Sequence, residues 1–353
     1  MATIAGSQFT ATAGVLPVNV VLTTDGLNGT NGQPLSSDTV GGDFNLEVYT
    51  GPAAGAPTSP ATGYQGLAIL TPGGFTIDLL GDGYAITDNG TGGATLIADG
   101  NDDTVSGGPN FDNLILNGTG DVANGGGTAG DYIEVNGTGD TVNGGTGPEA
   151  INVNSSGNTI NAGSGADTIS SLGNNETING GSGADTITAI GSGDTINAGT
   201  GPDLINVAGS NNVINGDGGN DTINVFSSND TINAGSSQET IGAYADNVLV
   251  NGGTGPATIT ATGTGDTVTA DSGALSINAF GPNFTFNDNS AVVYNDTVSG
   301  FSQAAGDHIH LAVGDTVTAT APANGGQDTL ITLSDNSTIL LKGVTSVDNS
   351  FFN

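Results

Sequence analysis

The sequence predicts an all-β fold in which a parallel β-solenoid, with 18 residues and two short strands per coil, forms most of the chain. Three observations support this prediction. β-Branched residues recur every nine positions, glycine-rich turns that end in an acid recur every 18, and 62 of the 353 residues are glycine. A period held over so many units is typical of repeat architectures. Because the glycines keep register with an apolar position, the composition indicates order and not disorder.

The nine-residue period predicts which side chains point inward. Alternate side chains of a strand point to opposite faces, so the Ile of each Thr-Ile-Asn segment is expected to point inward and its neighbours outward. Stacked coils then align the outward residues into an Asn row and a Thr row. The inward positions are Ile133, Val142, Ile151, Ile160, Ile169, Ile178, Ile187, Ile196, Ile205, Ile214, Ile223, Ile232, Ile241, Val250, Ile259, Val268 and Ile277, and the Asn row is Asn161, Asn179, Asn197, Asn215, Asn233 and Asn251.

Three segments are predicted along the chain. Residues 1–70 have no clear period and contain strand-like pieces, which indicates a β-rich N-terminal segment with a possible role in assembly. Residues 71–285 form the solenoid, whose register shifts by one residue between Leu114 and Ile133. Residues 286–353 contain alternating strands and are expected to cap the solenoid, because its open end would expose unpaired strand edges.

Acids dominate the charge, with 35 Asp and Glu against one basic residue, Lys342, for a net charge of -34. Such a chain opposes its own compaction, and carboxylates on successive coils would lie about 4.8 Å apart. A bound divalent cation removes that repulsion. The charge argues against nucleic acids and anionic membrane surfaces as partners, since both require basic patches. No apolar run is long enough for membrane insertion.

The glycine-rich turns offer the groups that bind calcium. Glycine permits turns with positive φ in which backbone carbonyls converge, and carbonyl and carboxylate oxygens suit Ca²⁺. The other side of the coil lacks the GGxG pattern, so one near-complete row of ions and one sparse or empty row are expected; a merely solvated acidic surface is the alternative. The candidate metal residues are Glu149, Asp167, Asp185, Asp203, Asp221 and Glu239 with Gly165, Gly183, Gly201 and Gly219, and, on the other side, Asp194 and Asp230.

These turns resemble the nonapeptide repeats of the RTX family of bacterial secreted proteins. The resemblance extends over about residues 75–285 and implies a right-handed β-roll with Ca²⁺ held between adjacent glycine turns. The segments that carry it are GGSGADTIT at 180–188 and AGSGADTIS at 162–170, which match closely, and AGTGPDLIN at 198–206 and GDGGNDTIN at 216–224, which match more loosely.

The C-terminal part of the chain extends this resemblance. Residues 295–312 and 328–353 look like the tail that follows RTX repeats in substrates of type I secretion. The resemblance therefore implies the type I secretion machinery as a partner and an extracellular or cell-surface location in a Gram-negative bacterium. Residues 1–14 have neither a basic region nor a long apolar run, so no Sec-type signal is predicted there.

The motifs that catalysis would need are missing from the sequence, which has no HExxH, no GxSxG and no cysteine, and an enzyme is not predicted. The first hypothesis is a secreted calcium-binding structural protein that assembles with itself into a surface layer, matrix fibre or filament. In that assembly, residues 1–70 would donate strands to a neighbouring subunit or dock on a cluster of Phe280, Phe284 and Phe286. The alternative is an adhesin or an ice-binding module that uses the Thr and Asn rows.

Overall fold

The computed structural model describes residues 93–289 and 293–352, residues 82–88 and five strands that precede them. The chain divides into two compact units, unit 1 (Met1–Asn179) and unit 2 (Gly180–Asn353). The described residues contain strands, turns and three short 3-10 helices, Gln303–Ala305, Asn324–Gly326 and Asn349–Phe351. In this described part of the chain, no helix is long and apolar enough to cross a membrane.

Unit 1 consists of short strands joined by tight turns. From β5 onward in unit 1, the odd-numbered strands belong to one sheet and the even-numbered strands to another, so successive strands alternate between the two sheets. The strands are β1 (Phe9–Ala13), β2 (Val20–Leu22), β3 (Leu46–Tyr49), β4 (Gly66–Thr71), β5 (Gly74–Leu79), β6 (Tyr84–Asp88), β7 (Ala94–Ala98), β8 (Thr104–Ser106), β9 (Asn113–Leu116), β10 (Val122–Asn124), β11 (Tyr132–Val135), β12 (Thr141–Gly145), β13 (Ala150–Val153), β14 (Thr159–Gly163), β15 (Thr168–Ser171) and β16 (Thr177–Gly181), which contains the unit boundary.

Each coil of unit 1 contributes one strand to each of two parallel rows. The odd strands pair from β5 to β15 and the even strands from β6 to β14. Ile151 pairs with Ile169, which gives an 18-residue coil. Leu114 pairs with Ile133, 19 residues on, which confirms the predicted register shift. The inward side chains are aliphatic and buried, so the core is a thin layer between the two rows.

Unit 2 repeats the same coil and then changes pattern. Its odd and even strands again form two parallel rows, from β17 to β29 and from β18 to β30. The strands are β17 (Thr186–Ala189), β18 (Thr195–Gly199), β19 (Leu204–Val207), β20 (Val213–Asn215), β21 (Thr222–Val225), β22 (Thr231–Asn233), β23 (Glu239–Ala243), β24 (Leu249–Asn251), β25 (Ala257–Ala261), β26 (Thr267–Thr269), β27 (Leu275–Ala279), β28 (Thr285–Asn287), β29 (Asn295–Ser299), β30 (His308–His310), β31 (Val317–Ala323), β32 (Asp328–Leu333) and β33 (Thr338–Lys342).

The last three strands cover the end of the odd row in unit 2. Strand β33 pairs in parallel with β29, and β32 and β31 add to it in antiparallel order. Near the end of the chain, Phe351 is 8% exposed and stacks on Phe301, with ring centroids 5.9 Å apart. These strands thus extend the odd row past β29, with the largely exposed β31 outermost, and the capping role of this segment stays a prediction.

The predicted phenylalanine cluster does not form a docking surface. Phe284 and Phe286 are 1% and 0% exposed and fill the interior of unit 2, because they occupy inward positions of their coil. Phe280, in contrast, is 67% exposed. The prediction that the three rings together receive a neighbouring subunit is therefore wrong.

The N-terminal strands pair within the same chain. Strand β1 runs antiparallel to β6, and β4 runs antiparallel to β5, so these strands extend the two rows of unit 1. The remainder of the predicted segment 1–70, apart from β2 and β3, lies outside the described residues. The structure confirms a parallel β-solenoid with coils of about 18 residues, and the segment limits at 70 and 285 stay predictions.

Candidate metal centres at the two edges of the coils

Acidic side chains line both edges of the coils. At the first edge, the turn leads into an odd strand; at the second edge, it leads into an even strand. In each row the acid or amide stands two residues before the inward residue and is at most 3% exposed. The first-edge row is Asp112, Asp131, Glu149 and Asp167 in unit 1, and Asp185, Asp203, Asp221, Glu239 and Asp296 in unit 2; the second-edge row is Asp103, Asp121, Asp140, Asn158 and Glu176 in unit 1, and Asp194, Asn212, Asp230, Asp266 and Asp307 in unit 2.

Side chains of the first-edge row hold the backbone of the coil before them, except Glu149, whose two oxygens accept no hydrogen bond from the described residues. In unit 1, the N–H of Glu149 donates to Oδ1 of Asp167 at 2.8 Å. In unit 2, the N–H of Asp185 donates to Asp203 Oδ1 at 2.7 Å, and the N–H of Asp203 donates to Asp221 Oδ1 at 2.8 Å. One carboxylate oxygen per coil therefore satisfies a buried N–H group that would otherwise lack an acceptor.

The second edge has the same arrangement. The N–H of Asp121 donates to Asp140 Oδ1 at 2.9 Å in unit 1, and the N–H of Asn212 donates to Asp230 Oδ1 at 2.7 Å in unit 2. The Asn212 amide also fits this row, because its Oδ1 accepts the N–H of Asp194 at 2.7 Å while its Nδ2 donates to the carbonyl of Gly209. An amide thus replaces a carboxylate without loss of the backbone hydrogen bond.

The other carboxylate oxygen gives each row its metal-binding potential. Oδ2 of Asp131, Asp203 and Asp221 is buried and accepts no hydrogen bond from the described residues. Lys342, the only basic residue in the sequence, lies on β33 and cannot neutralise two rows of acids. Burying an unpaired carboxylate is costly, and a hard divalent cation such as Ca²⁺ takes such oxygens as ligands. The donor set therefore fits calcium.

The pKa values of these carboxyl groups are raised, as expected for buried acids that no cation neutralises. Burial raises the pKa of Asp131, Asp140 and Asp203 to about 6, partly offset by the backbone hydrogen bond that each accepts. Burial also raises the pKa of Glu239 to about 7. For Glu149, burial together with the neighbouring Asp167 raises the pKa to about 8. The folded chain thus resists ionisation of these acids, which a bound cation would reverse.

The glycines predicted at the first edge pack closely against backbone carbonyls within each unit. A Cβ atom on Gly165 would lie 1.7 Å from the carbonyl oxygen of Gly147 in unit 1. In unit 2, a Cβ on Gly201 would lie 1.2 Å from the oxygen of Gly183, and one on Gly219 would lie 1.7 Å from the oxygen of Gly201. Only glycine permits this approach, so carbonyl oxygens stack in the same turns as the buried acids.

The second edge has a glycine pattern of its own, which the sequence interpretation missed. A Cβ on Gly209 would lie 1.7 Å from the oxygen of Gly191, and one on Gly173 would lie 1.7 Å from the oxygen of Ser155. The residue just before each acid or amide has positive φ, as at Gly193 and at Asn211 with φ 63°. The pattern is therefore small-x-Gly/Asn-acid in place of GGxGxD, and the expectation of one near-complete and one sparse or empty row of ions stays a prediction.

Both acid rows are interrupted by apolar residues, and some of the acids in them were not predicted from the sequence. Ala257 and Leu275 interrupt the first edge, and Val248 and Phe284 interrupt the second. Among the described residues, no three Asp, Glu, His or Cys side chains converge into a metal-binding group, so an ion here would take part of its oxygens from the backbone. An 18-residue spacing from the predicted acids reaches three of the missed members, Asp131, Asp140 and Asp266. The other five lie beyond coils of 19 to 23 residues, where that spacing fails, and are Asp103, Asp112, Asp121, Asp296 and Asp307.

Comparison with known proteins identifies the repeat. The RTX calcium-binding nonapeptide repeat (4 copies) matches residues 153–187, 188–223 and 208–240. These repeats are calcium-binding motifs, and with the parallel β-solenoid they fit an RTX β-roll protein. All predicted metal residues except Glu149 lie within the matched range. RTX repeat proteins are typically secreted from Gram-negative bacteria.

Among solved structures, extracellular lipase LipA from Serratia marcescens is similar to 68% of this chain, with 15% sequence identity and a TM-score of 0.25. The chain spans 39% of the length of that lipase chain. No curated protein matches the sequence.

Proposed function

We propose that this chain is a secreted, calcium-binding structural protein that assembles with itself into an extracellular polymer. The observation that carries the proposal is the pair of buried acid rows in a chain with 35 acids and one basic residue. Glu149, Asp167, Asp185, Asp203, Asp221 and Glu239 at the first edge, and Asp194 and Asp230 at the second, would hold the ions together with backbone oxygens of the glycine turns.

Calcium binding would be coupled to folding. An ion that binds the stacked coils but not the unfolded chain stabilises the fold by mass action. A chain of this kind stays unfolded where calcium is scarce and folds where calcium is abundant, which suits export followed by folding outside the cell. The type I secretion machinery is the proposed exporter, and the C-terminal segment 286–353 is its proposed signal.

A structural role is favoured over catalysis and over a ligand-binding face. The sequence lacks the motifs that nucleophilic or metal-assisted hydrolysis would need. The Asn row on the even strands is hydrogen-bonded along its own length, since Asn233 Nδ2 donates to Asn215 Oδ1 at 2.6 Å and Asn251 Nδ2 donates to Asn233 Oδ1 at 2.7 Å. These amides stabilise coil stacking and leave fewer groups for ice or a receptor.

Circular dichroism and electron microscopy of the purified full-length protein test the proposal. At neutral pH we expect a disordered chain in chelator, β-structure in millimolar Ca²⁺, and ordered polymers in the calcium sample. Mg²⁺ at equal ionic strength is the control for simple charge screening. Unchanged β-structure in excess chelator would contradict calcium-coupled folding. Dispersed monomers in calcium at high protein concentration would contradict assembly and favour the adhesin or ice-binding alternative, which a thermal-hysteresis assay then separates.

A further inference from the structure

Two Asn-Gly pairs lie at the second edge of unit 1, directly after strands β9 and β11. Asn117 and Asn136 are exposed, whereas the glycine after each of them, Gly118 and Gly137, is buried. Because glycine has no Cβ, the backbone nitrogen of an Asn-Gly pair approaches the asparagine side chain with little hindrance. An exposed pair of this kind is therefore a candidate for chemical modification.

The fold requires the glycine of each pair but not the asparagine. A Cβ on Gly118 would lie 1.5 Å from the oxygen of Gly100, and one on Gly137 would lie 1.6 Å from the oxygen of Gly118. In a later coil of unit 1 the corresponding pair is Leu172 and Gly173, and Leu172 is 53% exposed. The coil thus accepts another side chain at the position of the asparagine.

The N–H group of each glycine is the weaker of two donors to one carbonyl. Asn117 and Gly118 both donate to the carbonyl of Ala98, at 2.8 Å and 3.2 Å respectively. The next pair repeats this arrangement with the carbonyl of Leu116, at 2.7 Å and 3.1 Å. These bonds lie beyond the ends of the strands, where local opening costs the least free energy. The glycine nitrogen is therefore released more readily here than inside a strand ladder.

Asn-Gly pairs of the even strands are held more firmly. Asn124 ends β10, and the N–H of Gly125 donates to the carbonyl of Asn143 at 2.8 Å. In unit 2, the N–H of Gly216 donates to the carbonyl of Asn233 at 2.9 Å. The side chains are bonded as well, since Asn143 Nδ2 donates to Asn124 Oδ1 at 2.9 Å. The same dipeptide thus occurs in this chain in a protected setting.

We propose that Asn117 and Asn136 are sites of spontaneous deamidation in the folded protein. The glycine nitrogen gives its proton to the solvent and attacks Cγ of the asparagine, the side-chain nitrogen leaves as ammonia, and a cyclic succinimide remains. Water then opens the ring at either carbonyl, which yields aspartate or isoaspartate. Each event replaces a neutral amide by a carboxylate and consumes only water, in keeping with the thermal lability of asparagine.

The modification changes the contacts between neighbouring coils. Asn117 Nδ2 donates to Asp99 Oδ1 at 2.6 Å, and Asn136 Nδ2 donates to Asn117 Oδ1 at 2.8 Å. Deamidation removes the donor from each contact and sets a new carboxylate of residue 117 against Asp99. Like charges on adjacent strands are destabilising. The folded protein therefore gains negative charge with age at this exposed row, while the Asn row of the even strands keeps its amides.

Peptide mass spectrometry tests the assignment at each asparagine separately. The full-length protein is incubated for days in millimolar Ca²⁺ at mildly alkaline pH, and the deamidated and isoaspartyl fractions are measured. We expect Asn117 and Asn136 to react several-fold faster than Asn124 and Asn215. In guanidinium chloride the four should react at similar rates, because each is preceded by an aliphatic residue and followed by glycine. Equal rates at the four asparagines in calcium, or a faster reaction at Asn124, would overturn the proposal.

A variant protein connects the reaction to the charge of the intact molecule. The double substitution Asn117→Leu and Asn136→Leu copies the coil that contains Leu172 and keeps both required glycines. Isoelectric focusing of samples aged in calcium should show that the variant lacks most of the acidic forms that the wild-type protein accumulates. Accumulation of the same acidic forms by the variant would contradict the assignment to these two residues.

Discussion

At the residue scale, a single carboxylate performs two tasks in each coil. Asp203 accepts the N–H of Asp185 with one oxygen, and its other oxygen is buried without a hydrogen bond. The first task stabilises the stack with or without an ion, whereas the second oxygen destabilises the stack until a cation binds. Substitutions that remove one task and keep the other therefore distinguish the structural role from metal binding.

Replacing Asp203 by Asn and by Ala should separate the two tasks. Asp203→Ala leaves the buried N–H of Asp185 without an acceptor and should cost about 1–3 kcal/mol in any condition. Asp203→Asn keeps the acceptor but removes the carboxylate charge. It should therefore weaken calcium binding, measured by isothermal titration calorimetry, yet stabilise the metal-free protein. Asp217→Asn, at an exposed acid, is the control. An Asp203→Asn protein that behaves like this control would argue against a bound ion.

The raised pKa values predict opposite pH dependence with and without calcium. Asp131, Asp140 and Asp203 shift from 3.8 to about 6, and Glu239 shifts from 4.5 to about 7. Because the folded state holds these protons more tightly, the stability of the metal-free protein should fall as pH rises from about 4 to about 7. With calcium bound, the carboxylates must be ionised, so stability should instead rise over this range.

Thermal melts followed by circular dichroism at several pH values, in metal-free buffer and in millimolar Ca²⁺, measure both slopes. A melting temperature of the metal-free protein that increases from pH 4 to pH 7 would contradict the uncompensated acid rows.

At the element scale, the two edges are equivalent in construction although their sequences differ. The first edge uses GGxGxD turns and the second uses small-x-Gly/Asn-acid turns, yet both bring a backbone carbonyl close to a glycine of the next coil. The spacing between strands in a sheet, about 4.8 Å, sets this approach at both edges. A methyl group at either column must therefore push the coils apart.

Alanine substitutions at the two glycine columns should have similar effects. Gly201→Ala places a Cβ 1.2 Å from the Gly183 oxygen, and Gly209→Ala places one 1.7 Å from the Gly191 oxygen. Each should lower the free energy of unfolding by about 3 kcal/mol or more, since neither neighbour is a flexible side chain. Gly218→Ala is the control, with its nearest atom 3.7 Å away. Chemical denaturation in calcium measures the free energy of unfolding of all three variants. A lower value for Gly201→Ala alone would indicate that the two edges differ in construction.

At the scale of the whole molecule, the C-terminal segment combines two proposed roles. Strand β33 pairs with β29 of unit 2, so the segment completes the fold. The same residues resemble a type I secretion tail. Deleting them would disturb folding and export together, and such a deletion would not assign either role.

Transplanting residues 286–353 onto an unrelated passenger protein isolates the export role. We expect the fused passenger to appear in the medium of a bacterium that carries a type I exporter and to remain inside cells that lack the exporter. A fusion of residues 1–70 to the same passenger is the control and should remain inside. Export of that N-terminal fusion, without export of the C-terminal one, would place the signal at the other end.

The sequence by itself determined the coil length, the inward Ile positions, the register shift before Ile133 and the positions of six acids of the first edge. All of these follow from local periodicity, because in a solenoid each residue stacks on its equivalent one period away. The glycine pattern of the second edge was missed for a physical reason: its glycine and acid are separated by two residues instead of one, and a left-handed Asn such as Asn211 replaces glycine.

Only the tertiary structure decided which groups the acids contact, which strands lie at the end of the odd row and which apolar residues remain outside the core. Whether Asp203 faces water or the N–H of Asp185 depends on how neighbouring coils stack, and no single coil contains that information. Phe286 and Phe280 look alike in sequence, yet Phe286 fills the core and Phe280 is 67% exposed. The difference arises because one falls on an inward strand position and the other on a turn.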